Sequence, residues 1–125
     1  MPHILLEGRA AITDLQSRHR PFSVREGDRL VKVDRFYADA EGAAALVETL
    51  VVEGAHTQRF LVQVTARGDG LSVRLEPMTD PEKTAGVKRA LALVAERLRE
   101  AGGLRYGSTN IPEFLAGARP AGGGD

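Results

Sequence analysis

Three glycine-bearing breaks, Asp39-Ala40-Glu41-Gly42, Glu53-Gly54-Ala55-His56 and Gly68-Asp69-Gly70, divide residues 30–77 into four runs. Glycine adopts positive φ without steric penalty, which a tight hairpin turn demands, so breaks at this spacing constrain the chain to antiparallel strands joined in order. The runs Leu30–Ala38, Ala43–Val52, Thr57–Arg67 and Leu71–Pro77 are rich in Val, Leu, Phe or Tyr. Phe60, Val62, Val64 and Ala66 alternate with Leu61, Gln63, Thr65 and Arg67, and Leu71, Val73 and Leu75 alternate with Ser72, Arg74 and Glu76. Successive side chains of a strand point to opposite faces, so this period of two predicts a sheet covered on one side. Residues 43–52 remain open between strand and helix. Ala43-Ala44-Ala45-Leu46 has helix propensity, while the flanking turns and Val51-Val52 favour a strand.

At the N-terminus, Ile4, Leu6, Gly8, Ala10 and Ile12 fall on one side of an extended segment, which predicts a further strand. Residues 14–28 have few apolar anchors and read as a connection, with a short extended piece at Phe22–Val24. The clearest helix runs from Pro81 to Ala101. Thr79 or Asp80 is positioned to cap it, Pro81 suits the first helical position, and Gly102-Gly103 ends it. Val87, Leu91, Val94 and Leu98 form its apolar stripe, widened by Ala90, Ala95 and Ala101. A short helical turn is predicted near Pro112, capped by Thr109 or Asn110. Gly117, Pro120 and the Gly122–Gly124 run predict a disordered tail over residues 117–125.

These elements assemble into an α+β fold over residues 1–116. It is an antiparallel meander of about five strands with the long C-terminal helix packed on one face. A chain of 125 residues fits one domain, which buries roughly two-thirds of the surface its unfolded form exposes. The absence of cysteine excludes disulfides, thiolate catalysis and cysteine metal sites. No apolar run is long enough to span a bilayer, and Glu7 interrupts the first apolar stretch, so the sequence reads as soluble and cytoplasmic rather than secreted. Arg outnumbers Lys 14 to 3, a bias associated with high-GC bacterial genomes.

Seventeen basic residues balance seventeen acidic ones, which argues against a protein held to nucleic acid or an anionic membrane by excess cations. One segment departs from neutrality: Arg18-His19-Arg20, followed by Arg25 and Arg29. Arg18, Arg20 and Arg25 are candidate anion contacts, with Phe22 as a stacking group, and this loop carries the weaker alternative of nucleic-acid association. A solvated loop is the simpler reading, because Glu26 and Asp28 intervene.

Chemistry-bearing motifs are sparse. His3, His19 and His56 lack metal-ligand spacing, so no metal and no cofactor are expected. None of Ser17, Ser23, Ser72 and Ser108 sits in a GxSxG elbow, and no glycine-rich phosphate loop precedes a helix. Arg67-Gly68-Asp69 spells an adhesion tripeptide, which a hairpin accounts for. Asp34 and Glu48 would form a carboxylate pair if the first hairpin set them opposite each other, although a cross-strand charge ladder such as Lys32–Glu48 is the favoured reading. The remaining candidate surface is Tyr106, Ile111, Phe114 and Leu115. These apolar residues either fold back on the sheet or dock on a partner, a second copy of the chain included. The sequence therefore supports a non-enzymatic binding or protein-interaction module, with a homodimer as one form of it. A small-ligand carrier or enzyme with a pocket in a curved sheet is the alternative.

Overall fold

The strand periodicity extends further than the sequence reading reached. The computed structural model describes residues 1–115 and contains one antiparallel sheet of seven strands, curled into a half-barrel, with two helices. The strands are β1 (His3–Glu7), β2 (Phe22–Glu26), β3 (Arg29–Ala38), β4 (Ala44–Glu53), β5 (His56–Arg67), β6 (Gly70–Leu75) and β7 (Arg105–Thr109). The helices are α1 (Ile12–Arg18) and α2 (Ala85–Gly102), and a 3-10 turn occupies Pro112–Phe114. The sheet order is β2-β3-β4-β5-β6-β1-β7. The α+β architecture and the antiparallel meander are as expected; the strand number is corrected from about five to seven. The tail expected at 117–125 lies outside the described residues.

The two additional strands, β2 and β7, are the five-residue edges of the sheet. An edge strand has one neighbour and buries little, so its sequence need not carry a strong apolar alternation. Phe22-Ser23-Val24-Arg25-Glu26 is half-buried at best, and its hairpin to β3 turns at Gly27, φ 65°, with Glu26 directly opposite Arg29. β7 returns after α2 and pairs with β1, placing Tyr106 opposite Leu6. Thr109 Oγ1 donates to His3 O at 2.7 Å, and Asn110 Oδ1 accepts from His3 N at 2.9 Å.

Near the N-terminus the expected strand to Ile12 ends at Glu7, and the chain forms α1 instead of a connection. Ile12 and Leu15 lie three residues apart on one face and are both buried. Seven residues offer too few turns for a helical repeat to show in the sequence.

The alternation over residues 43–52 resolves as strand. Ala45, Val47, Thr49 and Val51 are buried, while Leu46, Glu48, Leu50 and Val52 point outward and stay half-exposed. All ten residues of β4 pair with β5. Between Val33 and Phe36 the β3–β4 register shifts, leaving Asp34 and Arg35 in a bulge.

α2 begins at Ala85, four residues later than the sequence suggested. The intervening chain is held along the part of β5 that β6 does not cover. Thr79 Oγ1 accepts from Leu61 N at 3.2 Å, and the Gln58 amide accepts from Glu82 N and donates to Glu82 O. Thr84 is the cap, accepting from Val87 N, and Gly103 in the left-handed region ends the helix. The expected stripe of Val87, Leu91, Val94 and Leu98 is buried against the concave sheet face. Burying each such side chain contributes about 1.5–3 kcal/mol. Ala92 and Leu93 are buried too, and the C-terminal turn Pro112–Phe114 packs against α2. No helix among the described residues is long and apolar enough to cross a membrane.

Candidate functional site

Both helices lie over the concave face without closing the half-barrel, and a cavity of about 310 Å³ remains where α1, the start of β2 and the second half of α2 meet. Its floor is the inner sheet face, with Val33 and Phe36 of β3 and Val47 of β4. Leu15 of α1, Phe22 of β2 and the α2 residues Val94, Leu98 and Ala101 form its walls. Val94, Leu98 and Ala101 share one helical face at spacings of four and three, so the stripe that packs the helix also walls the cavity.

The rim is polar and mostly basic: Arg18, His19, Arg20, Arg97 and Glu100. α1 ends at Arg18, and His19 adopts an extended conformation that leads through Pro21 into β2. The corner is pinned at two points. Arg18 Nη1 donates to Ala101 O at 2.6 Å, joining the C-terminal ends of α1 and α2. His19 Nε2 lies 2.6 Å from Asp34 O in the β3 bulge; a carbonyl only accepts, so Nε2 carries the proton. The His19 ring also sits 5.5 Å from the Phe36 ring.

Arg20 uses Nη1 on nearby carbonyls, Ser17 O at 3.2 Å and His19 O at 2.8 Å. The Arg97 guanidinium stacks 3.9 Å from the centroid of Phe22. Salt bridges among the described residues join Arg9 to Asp69, Arg29 to Glu26 and Glu53, His56 to Glu82, Lys83 to Asp80, Arg89 to Glu26, and Arg105 to Glu7. None involves Arg18, Arg20 or Arg97. A chain that is neutral overall thus gathers three guanidiniums without a carboxylate partner around one apolar cavity.

Of the three arginines singled out from sequence, Arg18 and Arg20 reach this rim. Arg25 does not: it alternates with Val24, points from the other face of β2 and is exposed. Arg97 is the rim arginine that the sequence reading did not single out. Its position three residues after Val94 and four before Ala101 places it beside the cavity-facing stripe, and that spacing is the signal that locates it.

The other candidates are dispersed. Ile111 and Leu115 are buried, at 3% and 6% exposure, while Tyr106 and Phe114 pack against the core at its edge. Phe114 O accepts from Arg89 Nη1 at 2.7 Å, so the segment folds back on its own chain. Asp34 and Glu48 both border a depression on the outer sheet face, where the Glu48 carboxylate accepts from Tyr37 Oη at 3.0 Å and Arg35 N at 3.4 Å. Lys32 stands opposite Leu50, so the Lys32–Glu48 ladder does not form. Ser72 is buried despite its outward position, beside Leu5 and Thr65. Among the described residues no three His, Asp or Glu side chains converge as a metal site would require. No family model matches the sequence, and no solved structure matches the fold.

Proposed function

We propose that the protein is a non-enzymatic binding protein whose site is the cavity at the mouth of the half-barrel, and that it holds a small molecule with an apolar body. The observation that carries this reading is the cavity itself. Eight of its thirteen lining residues are apolar, and its volume of about 310 Å³ is within the range of small-molecule sites. Among the described residues no Ser, Thr or Asp lines it, and the histidine that does, His19, is hydrogen-bonded to the Asp34 carbonyl, which favours binding over chemistry. Titration with anilinonaphthalene sulfonate, followed by amide and methyl NMR, tests it. Saturable shifts at Phe22, Phe36, Leu98 and Ala101 are expected. Shifts confined to the outer sheet face would overturn the proposal.

A second reading, an interaction module that includes a homodimer, rests on that outer face. No helix covers it among the described residues, and Leu46, Leu50 and Leu61 lie half-exposed beside Tyr37, which is 45% exposed. Light scattering on the wild type and Leu50→Lys distinguishes the two. A dimer that the substitution dissociates supports the second reading, and a monomer in both removes its homodimer form.

A further inference from the structure

We propose that the occupant of the cavity is an amphiphile with one anionic head, its apolar body among Phe22, Phe36, Leu98 and Ala101 and its head held between Arg20 and Arg97. The proposal rests on the cavity reading above and adds the ligand class.

Three observations carry it. The lining divides by burial, with Leu15, Val33, Phe36, Val47, Val94 and Leu98 buried and the charged Arg18, Arg20, Arg97 and Glu100 exposed. An amphiphile matches that division end to end; a uniformly polar molecule would leave its inner groups without partners. The charge at the mouth has one dominant sign, three guanidiniums against the single carboxylate of Glu100. Among the described residues no salt bridge joins any of the three to a carboxylate, as is also true of Arg25, Arg59 and Arg74; what sets the three apart is that they gather at one cavity. Like charges gathered at the lip of a low-dielectric cavity favour an anion there and disfavour a cation.

The third observation is preorganisation. Arg97 is held against the Phe22 ring and Arg18 is fixed by its bond to Ala101 O, so two of the three guanidiniums are already positioned. Arg20 is bonded only to carbonyls of its own turn through Nη1, which leaves its other N–H groups for a ligand. The planar guanidinium fork suits a carboxylate and a phosphate monoester alike, so the shared feature is an anionic oxygen head.

Octanoate, octyl phosphate and octanol, titrated separately against the full chain below micellar concentrations and followed by NMR, test this. One or both anions are expected to bind about tenfold more tightly than octanol, as charge-assisted hydrogen bonds would give. Binding by octanoate alone identifies a carboxylate head, and by octyl phosphate alone a phosphate head. Arg20→Met combined with Arg97→Met removes the preference, whereas Arg25→Met, away from the rim, retains it. Thermal melts confirm that the variants are folded, and Arg97→Lys covers the case in which loss of the Phe22 contact loosens β2. Octanol binding as tightly as both anions overturns the head-group assignment and leaves the cavity reading standing. Failure of all three to shift Phe22, Phe36, Leu98 or Ala101 overturns both.

Discussion

The carboxylate of Glu53, the last residue of β4, is bonded to the backbone of Gly86 in the first turn of α2. Oε2 accepts from Gly86 N at 2.8 Å, and Oε1 accepts from the Thr84 hydroxyl at 2.6 Å. An acidic side chain at a helix N-terminus satisfies donors that have no partner within the helix and opposes the positive end of its dipole. Here that carboxylate comes from the sheet, so one contact both caps α2 and fixes where it starts on the concave face. The cavity depends on that placement, because Val94, Leu98 and Ala101 line it only if the helix lies along this path.

Glycine at position 86 is required by closeness of approach. A Cβ there would collide with the Glu53 carboxylate. Gly86→Ala is therefore expected to destabilise the protein by about 1–3 kcal/mol in urea unfolding, although alanine is the better helix former by about 1 kcal/mol. In a Glu53→Ala background the obstruction is gone, and the same substitution becomes neutral or stabilising. A double-mutant cycle with no coupling between the two sites would remove this account.

Thr84 both donates to Glu53 and accepts from Val87 N at 3.2 Å. Thr84→Ala loses both bonds and is expected to cost about 1–2 kcal/mol, whereas Thr84→Ser retains most of the stability. Equal losses for the two variants would show that the hydroxyl is not what caps α2.

The C-terminal segment allows a sharper separation of alternatives. If Ile111 belongs to the core, as its 3% exposure indicates, Ile111→Ala should cost about 2–5 kcal/mol, in the range for emptying a buried aliphatic site. A docking residue waiting for a partner would change stability by less than about 0.5 kcal/mol. Urea denaturation of the isolated protein reads the difference directly.

What the sequence made legible follows the strength of each local pattern. The stripe Val87, Leu91, Val94, Leu98 spans several turns, so its face was readable without the structure, and the sheet beneath it followed from the alternation in residues 57–75. The start of α2 was misplaced because Thr79, Asp80 and Pro81 compose a good helix start. Bonds to Gln58 and Leu61, contributed by another element, hold that stretch on β5. α1 left only two apolar marks, Ile12 and Leu15, and the edge strands left no more, Phe22 and Val24 in β2 and Tyr106 in β7. The site divides in the same way. Arg18 and Arg20 stood out as a local cluster, but the partners that make them a rim come from α2, as with Arg18 and Ala101, 83 residues apart in the chain. Nothing local marks Phe22 as the platform for Arg97.

Ala101 offers the most direct test of the cavity as a site. It is half-buried at the cavity edge, in the last turn of α2, and its carbonyl holds Arg18. Ala101→Leu keeps the backbone bond and a good helix former while placing three more carbons into the opening. Apolar surface added where space already exists needs no repacking, so the melting temperature should stay unchanged or rise slightly. Anilinonaphthalene sulfonate binding should weaken at least about tenfold, since blocked volume removes both contact area and access. Undiminished binding in a folded Ala101→Leu variant would place the probe elsewhere on the protein and leave the three unpaired arginines without a ligand to explain them.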